Sequence, residues 1–168
     1  MKRAISTAGC AALLAIGSAA ADPVQVPRPV PYWEDADVAG NIRKECAIQT
    51  QLADYIQEFS RARGIEVSFA PSVAADQPGR VLDLEIREAE SMGNAWTGHR
   101  KSTTVRGKLY QDGELIGSFR GRRDSMGGAF AGYKGSCSVL GRTVKALGKD
   151  IAEFLSMPAM DADLGDLK

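Results

Sequence analysis

The sequence predicts an α+β fold: a two-layer sandwich of a roughly four-stranded antiparallel sheet, covered on one face by two long helices and stapled by one disulfide. Three observations predict it. Apolar residues recur at helical spacing over 37–63 and again over 137–155. Between them, strand-like alternation over 81–87 precedes two runs that flank Asp112-Gly113, a two-residue hairpin signal. Cys46 and Cys137 fall one in each helical stretch.

The first helix is expected from about Asp37 to Arg63, with Val38, Ile42, Cys46, Leu52, Ile56 and Phe59 on its apolar side. Asp35 or Asp37 supplies an N-cap, and Gly64 a stop just past the end. Ile65, Val67 and Phe69 alternate as a short strand. Leu82, Leu84 and Ile86 then oppose Asp83, Glu85 and Arg87, a strand with one buried and one wet face. Residues 88–98 read as a polar loop. The hairpin runs from His99 to Tyr110 and from Glu114 to Arg123, a pairing that sets Leu109 opposite Ile116, Tyr110 opposite Leu115 and Arg106 opposite Phe119. In the second helix, Leu140, Val144, Leu147, Ile151, Phe154 and Leu155 form the apolar stripe, Ser136 or Ser138 caps its start, and Met157-Pro158 ends it.

The two ends of the chain are of different character. Met1, Lys2 and Arg3 open a short basic stretch, Ala4 to Gly17 carry no charge, and Ala19 and Ala21 match the small-residue rule for signal cleavage. Residues 1–21 therefore read as a signal peptide cut after Ala21, and the chain as an exported protein, periplasmic or secreted. A retained anchor helix is the competing reading, although the apolar stretch is short of the roughly 20 residues a span needs. Thr7-Ala8-Gly9-Cys10 resembles a lipid-attachment site, but the apolar residues Ala11 to Ile16 follow Cys10 instead of preceding it. Residues 22–36, with Pro23, Pro27, Pro29 and Pro31, read as an extended Pro-rich arm. A single domain over 37–156 and an acidic flexible tail over 157–168 complete the expected division.

The 21 Lys and Arg residues balance the 21 Asp and Glu residues of the 168-residue chain. Loss of Lys2 and Arg3 with the signal leaves a slight acidic excess, which argues against a nucleic-acid binder. Removal of the signal also leaves one even pair of cysteines in an oxidising compartment, most simply a Cys46–Cys137 disulfide. Two free buried thiols are the alternative. A redox pair is disfavoured because there is no C-x-x-C spacing.

Candidate chemistry is sparse. His99 is the one histidine and has no nucleophile setting around it. Asp161, Asp163 and Asp166 resemble a calcium loop only loosely, so no metal is expected, nor any cofactor. Glu85, Glu88 and Glu90 are the carboxylates a glycan hydrolase would use. The glycine-rich stretch 124–136 either turns tightly or offers backbone amides to an anion at a helix start; it lacks the P-loop pattern. Arg100, Lys101, Arg106, Arg120, Arg122 and Lys134 form a basic set that either is a solvated sheet face or contacts an anionic envelope polymer or an envelope protein. Along the second hairpin strand Arg120 and Arg122 share a face and Arg123 points the other way.

The segment VRGKLYQDGELIGSFRGRRDSMGGAFAGYKGSCSVLGRTVKALGKDIAEFL resembles small exported proteobacterial proteins grouped as a domain of unknown function, described only as secreted proteins or lipoproteins. The likeness spans roughly residues 42–155. The helix–sheet–helix order is also similar to envelope accessory modules such as the N-terminal domain of the Tol periplasmic protein and the curli-secretion lipoproteins. Export, the disulfide, the two-layer α+β fold and the lack of a catalytic constellation point to a non-enzymatic periplasmic accessory or binding protein, and the resemblance transfers no catalytic residue. A small envelope enzyme cleaving glycan through carboxylates is the alternative.

Overall fold

The computed structural model describes residues 22–92, 100–125 and 135–167. The order is β1 (Val24–Pro27), β2 (Tyr32–Val38), α1 (Gly40–Glu45), α2 (Ile48–Arg61), β3 (Val67–Ala70), β4 (Arg80–Met92), β5 (Arg100–Gln111), β6 (Glu114–Ser125), α3 (Ser136–Ser156) and β7 (Ala162–Gly165). All seven strands join one mixed sheet in the order β3-β1-β4-β5-β6-β7, with β2 also paired to β4. The expected α+β class and the covering helices are present. The sheet corrects the expected one in size and direction: among the described residues it has seven strands, of which β4–β5 and β5–β6 pair antiparallel and the others in parallel.

The three additional strands, β1, β2 and β7, come from segments that read as the arm, the arm and helix start, and the tail. The Pro-rich arm is not a free tether. Val24 and Val26 are fully buried, and β1 runs parallel between β3 and β4. Beyond the cis Arg28–Pro29 peptide, β2 follows along the same edge of β4. Arg28 N donates to Ala70 O, Val30 N to Gln49 O and Ile86 N to Pro31 O, so the turn between β1 and β2 is tied at three points. The acidic tail is likewise anchored: β7 pairs in parallel with β6, and Leu164 is buried. β4 continues to Met92, through residues expected to loop, because Ala89 turns inward and Glu88 and Glu90 meet β5 partners.

The long first helix is in fact a strand and two helices. Asp35 and Asp37 lie in β2, not at a cap, and Ala39 precedes α1 without a side-chain cap. Val38 matched the helical spacing but reaches the core from a strand. Cys46 is extended, at φ −103° and ψ 119°, which breaks the helix between α1 and α2. It bonds Cys137 at the start of α3, across 91 residues of sequence. The predicted staple is thus present, with Cys46 at a junction instead of in a helical stripe. Gly64, at φ +72°, ends α2 as expected; its N–H donates to Arg61 O and that of Ile65 to Ser60 O.

One face of the sheet is the core. Leu82, Leu84 and Ile86 of β4, Val105 and Leu109 of β5 and Phe119 of β6 are all buried there. Ile48, Leu52 and Ile56 of α2 and Leu140, Val144, Leu147 and Ile151 of α3 cover them. α3 starts at Ser136 with Gly135 in the N-cap position, so neither Ser136 nor Ser138 is the N-cap residue. The two helices approach closely at Gly148, where an added Cβ would sit 2.6 Å from the Tyr55 Cβ and 3.1 Å from its carbonyl carbon. Gly148→Ala is therefore expected to force the helices apart and lower stability by about 1–3 kcal/mol. A urea midpoint unchanged from the parent would refute that.

Asp112 and Gly113 both have positive φ, 51° and 86°, as a type I′ hairpin requires. The expected pairing of Tyr110 with Leu115 is present, but a register shift follows it. Leu109 faces Gly117, Gly107 faces Phe119, and Arg106 faces Arg120. The extra residue on β6 is a β-bulge at Ile116, and it changes every cross-strand partner beyond the tip.

The tip is clamped to the loop before β4. Gly79 N donates to Asp112 Oδ1 at 2.7 Å and Asp112 N to Gly79 O at 2.9 Å. The bond from the Gln111 side chain, then that from Gly79, holds the Asp112 carboxyl below its ordinary range. A carboxylate depressed by folding adds stability above its unfolded pKa of about 3.9, lost as pH falls through the folded value. Asp112→Asn, which tolerates the same backbone, is expected to flatten that acid limb of a stability–pH profile. An acid limb identical to the parent's would exclude the contribution.

Candidate functional site

The sheet face opposite the helices is polar, and alternation places its side chains. On β4 these are Asp83, Glu85, Glu88 and Glu90; on β5, Ser102, Thr104, Arg106 and Lys108; on β6, Ser118, Arg120, Arg122 and Asp124. The basic set predicted from sequence is divided by this geometry. Arg106, Arg120 and Arg122 share the open face. Lys101 is on the helix side of β5, only 4% exposed, and desolvation lowers its pKa. Arg100 lies at the start of β5. Lys134 and His99 lie outside the described residues, as does most of the glycine-rich stretch.

Arg123 points to the helix side, as expected. Its guanidinium spans Asp150 of α3 at 2.7 Å and Asp166 beyond β7 at 2.9 Å. These bonds, Asp150 first, hold it strongly charged and tie the chain end to the sheet. Asp161 bonds Ser118 and Asp163 bonds Arg120, so the three tail aspartates serve as separate anchors and do not converge as ligands. Among the described residues no cluster of three metal-ligating side chains forms.

The open face carries both signs of charge, a feature hidden by reading the basic residues alone. Arg122 sits among Glu88 at 3.5 Å, Glu90 at 3.8 Å and Asp124 at 3.4 Å. Thr104 donates to Glu88 and Ser102 to Glu90. Glu85 pairs with Arg87 at 2.8 Å, and Arg87 lies over the Trp33 ring at 3.2 Å. The bulge between Ile86 and Glu88 puts Arg87 in reach of both. The network needs β2, β4, β5 and β6 together.

The three candidate glutamates are consequently engaged along β4, Glu85 with Arg87 and both Glu88 and Glu90 with Arg122. Glu88 meets Arg122, not Arg120. Asp83, which the sequence reading passed over, shares a shallow depression of about 170 Å³ with Glu85, Arg106 and Lys108. Desolvation, then Glu85, raises the Asp83 pKa, against the opposing pull of Lys108. A second depression, about 320 Å³, is bordered by Arg106, Lys108, Leu115, Arg120 and Met160. A larger groove of about 580 Å³ lies at the far sheet edge, between the end of α2 and the start of β3, beside Gln57, Arg61 and Ile65.

No family model matches the chain, and no curated protein matches it. Solved structures are similar in shape. A Xanthomonas campestris protein of the DUF330 family aligns with a TM-score of 0.52 at 12% identity, over 80% of this chain and 83% of that one. A minor lipoprotein from Acinetobacter baumannii aligns with a TM-score of 0.43 at 12% identity, over 80% and 91%. PelC from Paraburkholderia phytofirmans, crystallised as a dodecamer, aligns with a TM-score of 0.49 at 18% identity, over 77% and 86%. The first of these is a likeness of fold: the chain shares its architecture with a DUF330 protein while differing from it at most sequence positions.

Proposed function

We propose that the chain is an exported, non-catalytic binding domain of the cell envelope that presents its open sheet face to an envelope protein. The observation carrying this reading is the Arg122 network. It offers a surface with both signs of charge and fixed hydrogen-bonding side chains. Such a surface suits a protein with complementary charges better than an anionic polymer, which would favour cations without interleaved acids. The Cys46–Cys137 disulfide supports export, because such bonds persist in oxidising compartments.

Two measurements test the reading. The periplasmic fraction should contain a chain beginning at Asp22 with no alkylatable thiol before reduction. A photo-crosslinking residue at Thr104, on the open face, should trap a discrete protein in intact cells, whereas one at Glu58, on α2, should not. Recovery of the chain in the cytoplasm, or equal trapping from both positions, would overturn it.

The glycan-hydrolase reading has one observation in its favour, the raised carboxyl of Asp83 beside Glu85. It requires that Asp83→Asn abolish turnover of an envelope glycan by the purified chain. No turnover by the parent protein removes this reading.

A further inference from the structure

A strand at a sheet edge leaves N–H and C=O groups unpaired, and folded proteins blunt such edges with charge, kinks or side-chain caps. Among the described residues β2, β3 and β7 each pair on one side only. β2 is capped: the Arg43 side chain donates to Ala36 O and Val38 O. β7 carries Asp163, lies between Asp161 and Asp166, and ends in Gly165 at φ +70°. A second chain approaching it would meet carboxylates and a kink. β3 has neither device. Val67, Ser68, Phe69 and Ala70 are uncharged, and their register with β1 is regular.

Parallel pairing fixes which groups of β3 look outward. Val24 N donates to Glu66 O and Arg28 N to Ala70 O. The even-numbered residues of β3 therefore bond β1, and Val67 and Phe69 turn their N–H and C=O away from the sheet. One of these outward groups, Val67 O, accepts from the Gln57 side-chain amide at 3.0 Å. That amide stands where the N–H of an added strand would donate. Val67 and Phe69 share the helix side with the buried Val24 and Val26. Phe69 is exposed there, with the Arg28 guanidinium over its ring.

We infer that β3 pairs antiparallel with β3 of a second copy of this chain, about a two-fold axis through Ser68. The strand is complementary to itself in that register. Val67 of each copy stands opposite Phe69 of the other, and each pair exchanges N–H···O bonds in both directions. Phe69 is then covered by a β-branched partner, a favourable cross-strand pair. Ser68 meets Ser68 and Glu66 meets Ala70, so no like charges stand opposite each other. The same register carries Pro71 of one copy alongside Ile65 of the other, at the wall of the 580 Å³ groove. With β2 and β7 blunted, the contact closes as a dimer and does not propagate. The inference is independent of the envelope protein proposed for the Arg122 network, which lies on the open face of β4 to β6.

The test is sedimentation of residues 22–168 over a range of concentrations, where a monomer–dimer equilibrium is expected. Residues facing each other at the axis have Cα atoms about 4.5 Å apart, within reach of a disulfide. Ser68→Cys should therefore oxidise to a covalent dimer, and Glu66→Cys, opposite Ala70, should not. Phe69→Pro removes an N–H that the sheet within one chain does not use. It should abolish the dimer and leave the monomer folded. Hydrogen exchange of the unaltered protein keeps the test open if a variant misfolds. The Val67 and Phe69 amides should be protected only at high concentration, those of Ser68 and Ala70 at every concentration. A monomer at all concentrations overturns the inference, even where a crosslinker at Ser68 traps a different protein in cells, because the occupant is then another chain. So does a dimer whose concentration-dependent protection lies elsewhere, or one that survives Phe69→Pro.

Discussion

Replacing Cys46 and Cys137 by alanine is expected to lower the unfolding free energy by about 4–5 kcal/mol, the loop-closure value for a bridge across roughly 90 residues. Urea denaturation measures it, and the parent protein in reductant should unfold together with the variant. The bridge joins the α1–α2 junction to the start of α3. Without it, α2 and α3 are held by packing alone. Strands β3 to β6 lie between the two cysteines in sequence, so the released unfolded chain gains freedom over most of the sheet. A midpoint unmoved by the substitution, or two thiols reactive in the unreduced protein, would contradict the prediction.

Phe119→Ala is expected to cost about 3–5 kcal/mol, the range for emptying a large aromatic site in a packed core. The ring lies over Gly107 on the neighbouring strand and meets Phe154 at 4.7 Å between centroids, tilted by 60°. The absent side chain at position 107 leaves the space that the ring fills. Gly107→Ala should therefore also destabilise, by about 1–3 kcal/mol, because its Cβ would enter the ring. Combining Gly107→Ala with Phe119→Leu should cost less than the two singly, since the smaller side chain relieves the overlap. Additive losses in urea melts would show that the two positions do not share one space.

The bulge at Ile116 explains why this pair was invisible in sequence. Continuing the pairing outward from Asp112-Gly113 sets Arg106 against Phe119, one residue out of step. A bulge has no compositional mark, and one extra residue alters all later partners. The same step decides the open face. It brings Arg120 opposite Arg106 and Arg122 opposite Thr104, near the Glu88 and Glu90 of β4. The alternation of Arg120, Arg122 and Arg123 was legible, because side-chain direction depends only on parity along a strand. Burial of Lys101 was not, because it depends on where β5 begins relative to the helices.

Local periodicity by itself determined α3, the hairpin and the apolar face of β4, and marked α2 within a longer run, since each is a matter of neighbours a few residues apart. Chain composition and cysteine parity determined the expectation of one bridge. Only the tertiary structure decided that Val24–Pro27 and Ala162–Gly165 are strands. Both pair in parallel, β1 with segments more than 40 residues away and β7 with one likewise distant. A parallel partner has no adjacent turn to announce it. Tertiary structure also decided that Cys46 breaks a helix and that the arginines of β6 stand among carboxylates, because these depend on which distant groups the completed sheet brings within reach.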